Sequence, residues 1–238
     1  MDEMKVSISV IIPAVNEADN IIRQVNFFKT FGYDKVTEII VIDGDSEDDT
    51  ALYAEKAGAK VIRSAIRSRA AQMNAGAKMA KGNILYFVHA DTKIVESFVK
   101  DIRQSFQSNY DAGCYRYQFD AESKLLKLNA WFTQFDFLMF RGGDQSLFIK
   151  KEVFQQLNGF DETFVIMEEY EFLIRLRKQF KFQIIQKDIV VSARKYEHNS
   201  WLKVQLANAI AFTMFRLKYK PEKIKNFYNR FLRYRYNQ

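Results

Sequence analysis

Strands and helices alternate through the first half of the chain, and this alternation limits the possible folds more than any other feature. The run SISVIIPA at 7–14 is rich in β-branched residues, and apolar residues at helical spacing follow it at 16–31. Four such pairs are predicted, with strands at 7–14, 38–43, 59–64 and 83–90 and helices at 16–31, 48–58, 69–80 and 95–108. The pattern predicts an α/β fold with a mostly parallel sheet and helices on both faces.

The second half is mixed and is expected to extend the same sheet. Strands are predicted at 113–120, 146–151, 182–186 and 189–193, and helices at 125–140, 152–157 and 167–180. From Trp201 the chain reads as helical, and Pro221 divides this part into two helices. We therefore expect one large domain over residues 1–200 and a helical tail over residues 201–238.

The charge of the chain is concentrated in that tail. The net charge is +7, but residues 201–238 contain nine basic residues and one acid, so the first 200 residues sum to −1. A neutral body argues against a nucleic-acid-binding face. The tail also holds nine aromatic residues, a mixture that suits contact with an anionic membrane surface. Packing of the tail on the body or on a second subunit is the alternative.

Neither a signal peptide nor a membrane span is expected. The N-terminus opens with Asp2 and Glu3 and runs directly into a strand. No uncharged apolar run reaches the roughly 18 residues that a transmembrane helix requires. The expected location is the cytoplasm, with peripheral attachment to the inner face of the cell membrane through the tail.

Residue types restrict the chemistry. A single cysteine, Cys114, and two histidines, His89 and His198, exclude a disulfide framework and a Cys-based or His-rich zinc site. Any metal should be a hard cation held by carboxylates. The chain has no GxGxxG after the first strand and no GxxxxGK[ST], so phosphates should be held by metal and arginine.

Polar residues follow the first four strands, and parallel strands bring their carboxyl ends to one edge of the sheet. The collected residues are Pro13, Val15, Asn16, Glu17, Asp43, Gly44, Asp45, Ser46, Arg67, Arg69, His89, Asp91 and Thr92. Carboxylates and arginines in one place suit a nucleoside diphosphate with a divalent metal. Each residue alone could also be a turn residue or a helix-end charge.

Several segments resemble family 2 glycosyltransferases, which have the GT-A fold. The opening of that family is similar to VSISVIIPAVNEADNI, EIIVIDGDSEDDT and RSRAAQMNAGAKMAKGNILYFVHADT. Its acceptor-side and catalytic segments are similar to GGDQSLFIKKEVFQQLNGFDE and FVIMEEYEFLIRLRK. The resemblance runs from about Ser7 to Ala193. The combination RAAQMNAG…HADT…GDQ resembles a bacterial subgroup of the family.

The resemblance implies a donor site. It assigns nucleotide binding to Pro13, Val15, Glu17, Asp43 and Arg69. In the family the acid at Asp43 accepts a hydrogen bond from a uracil-like ring nitrogen, which favours UDP over GDP. His89-Ala90-Asp91 stands where the family has Asp-x-Asp. The implied cofactor is Mg²⁺ or Mn²⁺ on Asp91, with His89 as a second ligand. A strand-end histidine hydrogen-bonded to backbone is the alternative for His89.

The resemblance also implies an acceptor site and a base. Glu169 stands at the family's general base, one methylene longer than the usual Asp, and the alternative is an ordinary acid in the first turn of a helix. Asp144 and Gln145 lie in the acceptor-side segment, where Asp144 could accept hydrogen bonds from sugar hydroxyls or be a turn residue before the next strand. Glu171 is expected to pair with Arg175 at i+4. The aromatic residues from Trp131 to Phe140 could stack on sugar or lipid, but a role in the core is the expectation.

The implied reaction is inverting transfer of a sugar from a nucleoside-diphosphate sugar to an acceptor hydroxyl, with lipid-linked acceptors among the candidates. A non-catalytic nucleotide-sugar-binding protein or a membrane-associated scaffold is the alternative, because His89 and Glu169 depart from the family pattern. A nucleotidyltransferase is disfavoured, since Val15-Asn16-Glu17 replaces the glycine-rich basic loop of that class.

Overall fold

A seven-stranded sheet forms the centre of the protein, and the computed structural model describes residues 6–232. The strands are β1 (Ile8–Ala14), β2 (Val36–Asp43), β3 (Lys60–Arg63), β4 (Ile84–Phe87), β5 (Ala112–Phe119), β6 (Leu147–Lys150) and β7 (Phe182–Val191). The helices are α1 (Ala18–Phe31), α2 (Thr50–Lys56), α3 (Arg69–Met79), α4 (Phe98–Gln107), α5 (Lys124–Phe132), α6 (Lys151–Gln156), α7 (Glu168–Leu176), α8 (Arg194–Glu197), α9 (Trp201–Arg216) and α10 (Pro221–Phe231). Short 3₁₀ turns cover 138–140 and 143–145.

The strand order is β3-β2-β1-β4-β6-β5-β7, and only β6 runs antiparallel to its neighbours. The parallel pairing of β1 with β2 and β4 confirms the expectation for the first half, and the later strands extend the same sheet. In the antiparallel pair, Leu147 at the start of β6 lies opposite Phe87 at the end of β4. The loop before β6 and the segment after β7 therefore reach the same edge as the ends of β1, β2 and β4.

Helices cover both faces of the sheet. On one face Phe28 of α1 and Phe98 of α4 pack edge-to-face, and both contact the ring of Tyr86 on β4. On the other face Met73 of α3 and Phe172 of α7 belong to a second buried cluster. These two layers are the cores on which the edge loops rest.

The observed bounds differ from the predicted ones most clearly in two regions. The helix predicted at 125–140 ends at Phe132, because the buried guanidinium of Arg141 binds the carbonyl oxygens of Thr133 (2.5 Å) and Phe135 (2.8 Å) and holds the chain in a turn. The strands predicted at 182–186 and 189–193 form one strand, β7. Its pairing with β5 shifts register after Tyr115, so two polar residues, Gln186 and Lys187, are extruded from the ladder.

The two C-terminal helices pack on the body. Helix α9 contributes Val204, Ala207 and Ala211 to a buried cluster with α10. Ile166 and Met167, in the loop before α7, belong to the same cluster. Packing of the tail on the body is therefore seen for the described part, whereas residues 233–238 lie outside the described residues. The division into domains at residue 200 stays a prediction. Within residues 6–232, no helix is both long and apolar enough to cross a membrane.

Helix α3, which begins at Arg69, packs closely on the sheet at Gly76. A methyl group there would lie 2.5 Å from Cγ2 of Ile11 and 2.7 Å from Cδ1 of Ile42. Alanine favours a helix over glycine by about 0.8–1 kcal/mol. We nevertheless expect Gly76→Ala to lower the free energy of unfolding by about 1–3 kcal/mol, because both buried isoleucines must move.

Urea unfolding measures this change. Lys78→Ala, on the exposed side of the same helix, is the control and should alter stability by less than about 0.5 kcal/mol. Wild-type or higher stability of Gly76→Ala would contradict the close packing.

Candidate functional site

A cavity of about 720 Å³ opens at the edge where the parallel strands end. This volume is in the range of small-molecule sites. Eight of the ten predicted site residues line it: Pro13, Val15, Glu17, Arg69, His89, Asp91, Asp144 and Glu169. The other two, Asp43 and Gln145, are buried behind its wall. The structure thus brings the predicted residues together, while their individual roles stay predictions.

The loop after β1 is fixed to the loop after β2 by side chains. Asn16 has a left-handed backbone (φ 53°), and its Oδ1 accepts a hydrogen bond from the Glu47 amide at 2.8 Å. The amide of Glu17 donates to Oγ1 of Thr50, also at 2.8 Å. Helix α1 accordingly begins at Ala18 rather than at the predicted Asn16. These contacts hold the Glu17 side chain at the cavity.

Asp43 ends β2 and is buried, and its Oδ1 has no hydrogen-bond partner within residues 6–232. Nε2 of Gln72 on α3 is also without a partner among the described residues, and it would lie 1.9 Å from a Cβ at Gly44. Only glycine fits at position 44 with this side chain so close. Buried polar atoms without partners are rare in folded proteins, so this corner is suited to polar groups from a ligand.

Glu168 and Glu169 are the first residues of α7, and both are buried. They follow Met167, whose backbone is left-handed (φ 67°). Nη1 of Arg69 lies 3.8 Å from Oε1 of each glutamate, so two carboxylates share one guanidinium. The helix N-terminus adds a favourable field for negative charge.

The environment of Glu169 changes its acidity. Burial is the largest influence and the charge of Glu168 the next, and together they raise the pKa of Glu169 well above its usual range. Arg69 and His89 act in the opposite direction but do not cancel this rise in pKa. A carboxyl group with a raised pKa in a cavity is a typical proton-transfer group.

Glu171, one turn into α7, differs from its two neighbours. Its Oε1 accepts a hydrogen bond from Nε of Arg175 at 2.6 Å, and its Oε2 accepts one from Nη2 at 2.7 Å. The predicted i+4 ion pair is confirmed. Glu171 is not among the residues that line the cavity.

His89, Asp91 and Asp144 offer the nitrogen and oxygen donors that a divalent cation would use. Nδ1 of His89 lies 3.5 Å from Oδ1 of Asp144, so the imidazole contacts a carboxylate. Desolvation opposes ionisation of Asp144, but the hydrogen bond and charge of His89 lower the pKa of Asp144 well below its usual range. The donor types fit Mg²⁺ or Mn²⁺, although residues 6–232 contain no ready-made group of three acidic, His or Cys ligands.

Three charged cavity residues were missed by the sequence analysis: Arg141, Arg194 and Lys195. Nη2 of Arg194, in α8, lies 2.9 Å from Oε1 of Glu17 and 2.7 Å from Oδ2 of Asp91. Nζ of Lys195 lies 3.2 Å from the hydroxyl of Tyr228 on α10. Arg194 and Lys195 come directly after β7, so the rule that strand ends converge would have found them.

The far end of the cavity is built by α5, α9 and the segment between α5 and β6. Asn129 Oδ1 accepts a hydrogen bond from Nε1 of Trp201 at 3.3 Å, and the hydroxyl of Tyr196 accepts from Nδ2 of Asn129 and Nε2 of Gln205. Leu128, Phe132 and other apolar side chains complete this wall. Asp144 faces it, whereas Gln145 packs toward Cys114.

The aromatic residues of this segment are not in the core. Trp131, Phe135 and Phe137 are exposed, and Phe132 and Phe140 are half-buried where they line the cavity. The expectation that these rings form core was wrong. They contact one another instead, with ring centroids about 5–6.5 Å apart from Trp131 through Phe140.

Comparison with known proteins identifies relatives of the chain. Residues 9–166 match the model of a family described as Glycosyl transferase family 2. An uncharacterised glycosyltransferase of Rickettsia felis (strain ATCC VR-1525 / URRWXCal2) is 31% identical over 102 residues, which are 43% of this chain and 35% of that protein. The chain thus spans about a third of the length of this curated relative.

Solved structures share the fold at low sequence identity. Glucosyl-3-phosphoglycerate synthase from Mycobacterium tuberculosis, in complex with Mn²⁺, UDP and glucosyl-3-phosphoglycerate, is 18% identical with a TM-score of 0.64 over 89% of this chain and 80% of that chain. S. aureus TarS 1-349 in complex with UDP is 15% identical, with a TM-score of 0.64 over 95% of this chain and 70% of that chain. Mannosyltransferase PcManGT from Pyrobaculum calidifontis, in complex with GDP-Man and Mn²⁺, is 17% identical, with a TM-score of 0.66 over 93% of this chain and 68% of that chain. These likenesses confirm the predicted GT-A fold.

The raised pKa of Glu169 predicts how stability depends on pH. In the unfolded chain the pKa of this carboxyl group should be about 4.3. In the folded protein Glu169 keeps its proton to higher pH. The stability that Glu169 contributes is therefore fully present below the unfolded-state pKa, and it is lost as the pH rises from that pKa through the raised pKa of the folded state. Glu169→Gln stays neutral throughout. We expect it to gain stability relative to the wild type by up to about 1.4 kcal/mol for each pH unit between the unfolded and folded pKa values.

Urea unfolding of the metal-free protein from about pH 4.5 to about pH 8.5 measures this difference. Glu152→Gln, an exposed first-turn change in α6, is the control and should differ from the wild type by a constant amount. A stability difference between Glu169→Gln and the wild type that does not vary with pH would contradict the raised pKa.

Proposed function

The chain belongs to glycosyl transferase family 2, and on that premise we propose that it is a glycosyltransferase that moves a sugar from a nucleoside-diphosphate sugar to an acceptor hydroxyl with inversion at the anomeric carbon. The observation that carries the proposal is the placement of Glu169, Arg69 and Asp91 around one cavity. That cavity has space for a nucleoside-diphosphate sugar and a second substrate.

Glu169 is the proposed general base. Its carboxylate would take the proton of the acceptor hydroxyl as that oxygen attacks the anomeric carbon. Burial and the neighbouring Glu168 raise its pKa, which strengthens it as a base once it is ionised. Single displacement by a hydroxyl activated in this way inverts the anomeric centre.

The leaving diphosphate is proposed to lie at the β1–β4 end of the cavity. Arg69 would offset the negative charge that develops on it. Asp91 would hold a divalent cation with His89 or Asp144 as a further ligand. A bound Mg²⁺ or Mn²⁺ would supply Lewis-acid stabilisation of the diphosphate. Mn²⁺ in the complexes of the mycobacterial synthase and of PcManGT supports this assignment.

UDP is the proposed nucleotide, in a pocket formed by Pro13, Val15 and Glu17, with Asp43 buried next to it. The buried Oδ1 of Asp43 has no hydrogen-bond partner among the described residues, and it would accept a hydrogen bond from a ring nitrogen of the base once the side chain turned toward the cavity. UDP in the complexes of the mycobacterial synthase and TarS supports this choice, whereas PcManGT holds GDP-Man.

The acceptor is proposed to be lipid-linked, and the protein to bind at the inner face of the cell membrane. Its bilayer contact would be the α5–α9 face, the exposed apolar side chains beside the cavity. This face consists of Leu125, Leu128, Trp131, Phe137, Leu202 and Leu206. Trp131 and Leu202 are 54% and 69% exposed. A patch of this kind on a protein surface usually marks an interaction site.

The charge of the tail, which contains α9, favours an anionic bilayer over other partners. Within residues 201–232, seven basic residues accompany one acid, Glu222. Interfacial helices place basic side chains at the lipid headgroups and aromatic rings at the boundary with the acyl chains. Docking there would bring the cavity to an acceptor anchored in the membrane.

We expect Asp91→Ala and Glu169→Gln each to reduce sugar transfer by about 10²–10⁴-fold, because the first loses the proposed cation ligand and the second the base. A thermal-shift panel of UDP- and GDP-sugars with Mn²⁺ or Mg²⁺ identifies the donor first, since a ligand raises apparent stability. Release of nucleoside diphosphate then measures turnover.

Glu171→Gln is the matched control for the base. Its carboxylate pairs with Arg175 outside the cavity, so turnover should stay within a few-fold of the wild type. Full activity of Glu169→Gln would remove the base assignment. Donor binding with no turnover would favour a non-catalytic binder.

We expect Trp131→Gln combined with Leu202→Gln to weaken binding to vesicles containing phosphatidylglycerol by at least about fivefold, since each change removes exposed apolar area. Co-sedimentation measures binding. The control pair Ile22→Gln and Leu52→Gln changes exposed residues on α1 and α2. Equal pelleting of both pairs would refute the face as a membrane site. A loss of dimer in light scattering would identify self-association instead.

A further inference from the structure

Arg194 links two carboxylates that come from different strands. Its Nη2 lies 2.9 Å from Oε1 of Glu17, which follows β1, and 2.7 Å from Oδ2 of Asp91, which follows β4. The guanidinium reaches this position from α8, beyond the last strand of the sheet. It therefore closes the end of the cavity where the proposed function puts the diphosphate and its cation.

This bridge conflicts with a cation on the same carboxylate oxygen. A Mg²⁺ ion binds carboxylate oxygen at about 2.0–2.1 Å, and Mn²⁺ favours the same class of oxygen ligand. With the guanidinium nitrogen 2.7 Å from Oδ2, the two positive charges would be at most about 5 Å apart. Arg194 and the cation thus compete for Asp91.

A diphosphate removes the conflict. It carries negative oxygens that arginine binds well, in bidentate geometry where the fork allows. Arg194 is only partly buried, with 43% of its side chain exposed, so it has room to turn. Moving from Asp91 to a phosphate would leave the carboxylate free for the cation and keep each positive charge beside a negative one.

We propose that Arg194 is an exchangeable counter-cation, which blocks Asp91 in the free protein and moves to the diphosphate when nucleotide and cation bind together. This inference rests on the proposed donor site and adds a regulation to it. Cation alone binds weakly because it must displace the guanidinium. Nucleotide provides the alternative partner for Arg194, so nucleotide and cation strengthen each other's binding, and the coupling is reciprocal.

The test measures binding without turnover. Mn²⁺ is titrated into the protein with electron paramagnetic resonance detection of the free ion, alone and with saturating UDP, for the wild type and Arg194→Gln. We expect Arg194→Gln to bind Mn²⁺ alone about tenfold more tightly than the wild type. The factor by which UDP tightens Mn²⁺ binding should fall by about the same tenfold.

Two further variants make the result specific. Arg194→Lys keeps the charge without the fork and should stay closer to the wild type. Arg116→Gln removes a similar guanidinium, 2.9 Å from Asp188 and away from the cavity, and should leave Mn²⁺ affinity unchanged.

Unchanged affinity of Arg194→Gln for Mn²⁺ alone, in a protein that binds UDP with Mn²⁺, would overturn the exchange and leave the donor site standing. Absence of UDP and Mn²⁺ binding in the wild type would overturn both.

Discussion

Two buried carboxylates that share one guanidinium set the character of the site. Glu168 and Glu169 both lie 3.8 Å from Arg69, and three of their four oxygens have no hydrogen-bond partner among the described residues. Burying like charges with incomplete pairing is unfavourable, and helix α7 offsets the cost only in part. The left-handed Met167 adds a further strained position at the same point. Strain and unpaired charge gathered in one place are characteristic of a working site, because stability alone would not retain them.

The sheet decides which distant segments meet there. Six of its strands share one direction, and the reversed strand β6 delivers the loop with Asp144 to the common edge. In this way residues from 13 to 195 converge on a single cavity. Carboxylates and cationic side chains both line it, so the proposed diphosphate and cation would find partners of opposite charge already in place.

The sequence predicts most of this arrangement, and the errors have physical reasons. The local hydrophobic period is sufficient to predict the strands and helices of the parallel half of the sheet. The convergence of strand ends, together with the family resemblance, indicates eight of the residues that line the cavity. At the break after Phe132, Arg141 binds carbonyl oxygens six and eight residues earlier in the same segment, and this side-chain contact is not encoded in the hydrophobic period. The bulge in β7 leaves the polar residues Gln186 and Lys187 exposed in the middle of the strand. The hydrophobic pattern therefore predicts two strands separated by a loop, whereas the structure has one continuous strand. Arg194 was missed because the strand-end rule was applied only to the first four strands, although Arg194 follows β7 at the same edge of the sheet.

The wall that α9 contributes has a consequence for how such proteins diversify. The proposed nucleotide-binding groups come from the loops of the sheet, whereas Gln205, Asn208 and Phe212 of α9 border the far end of the cavity. If the acceptor binds at that end as proposed, mutations in this one helix would reshape the acceptor side without touching the proposed nucleotide-binding groups. Evolution can therefore treat the two halves as separable modules, and a donor specificity once acquired becomes reusable among descendants that modify different molecules.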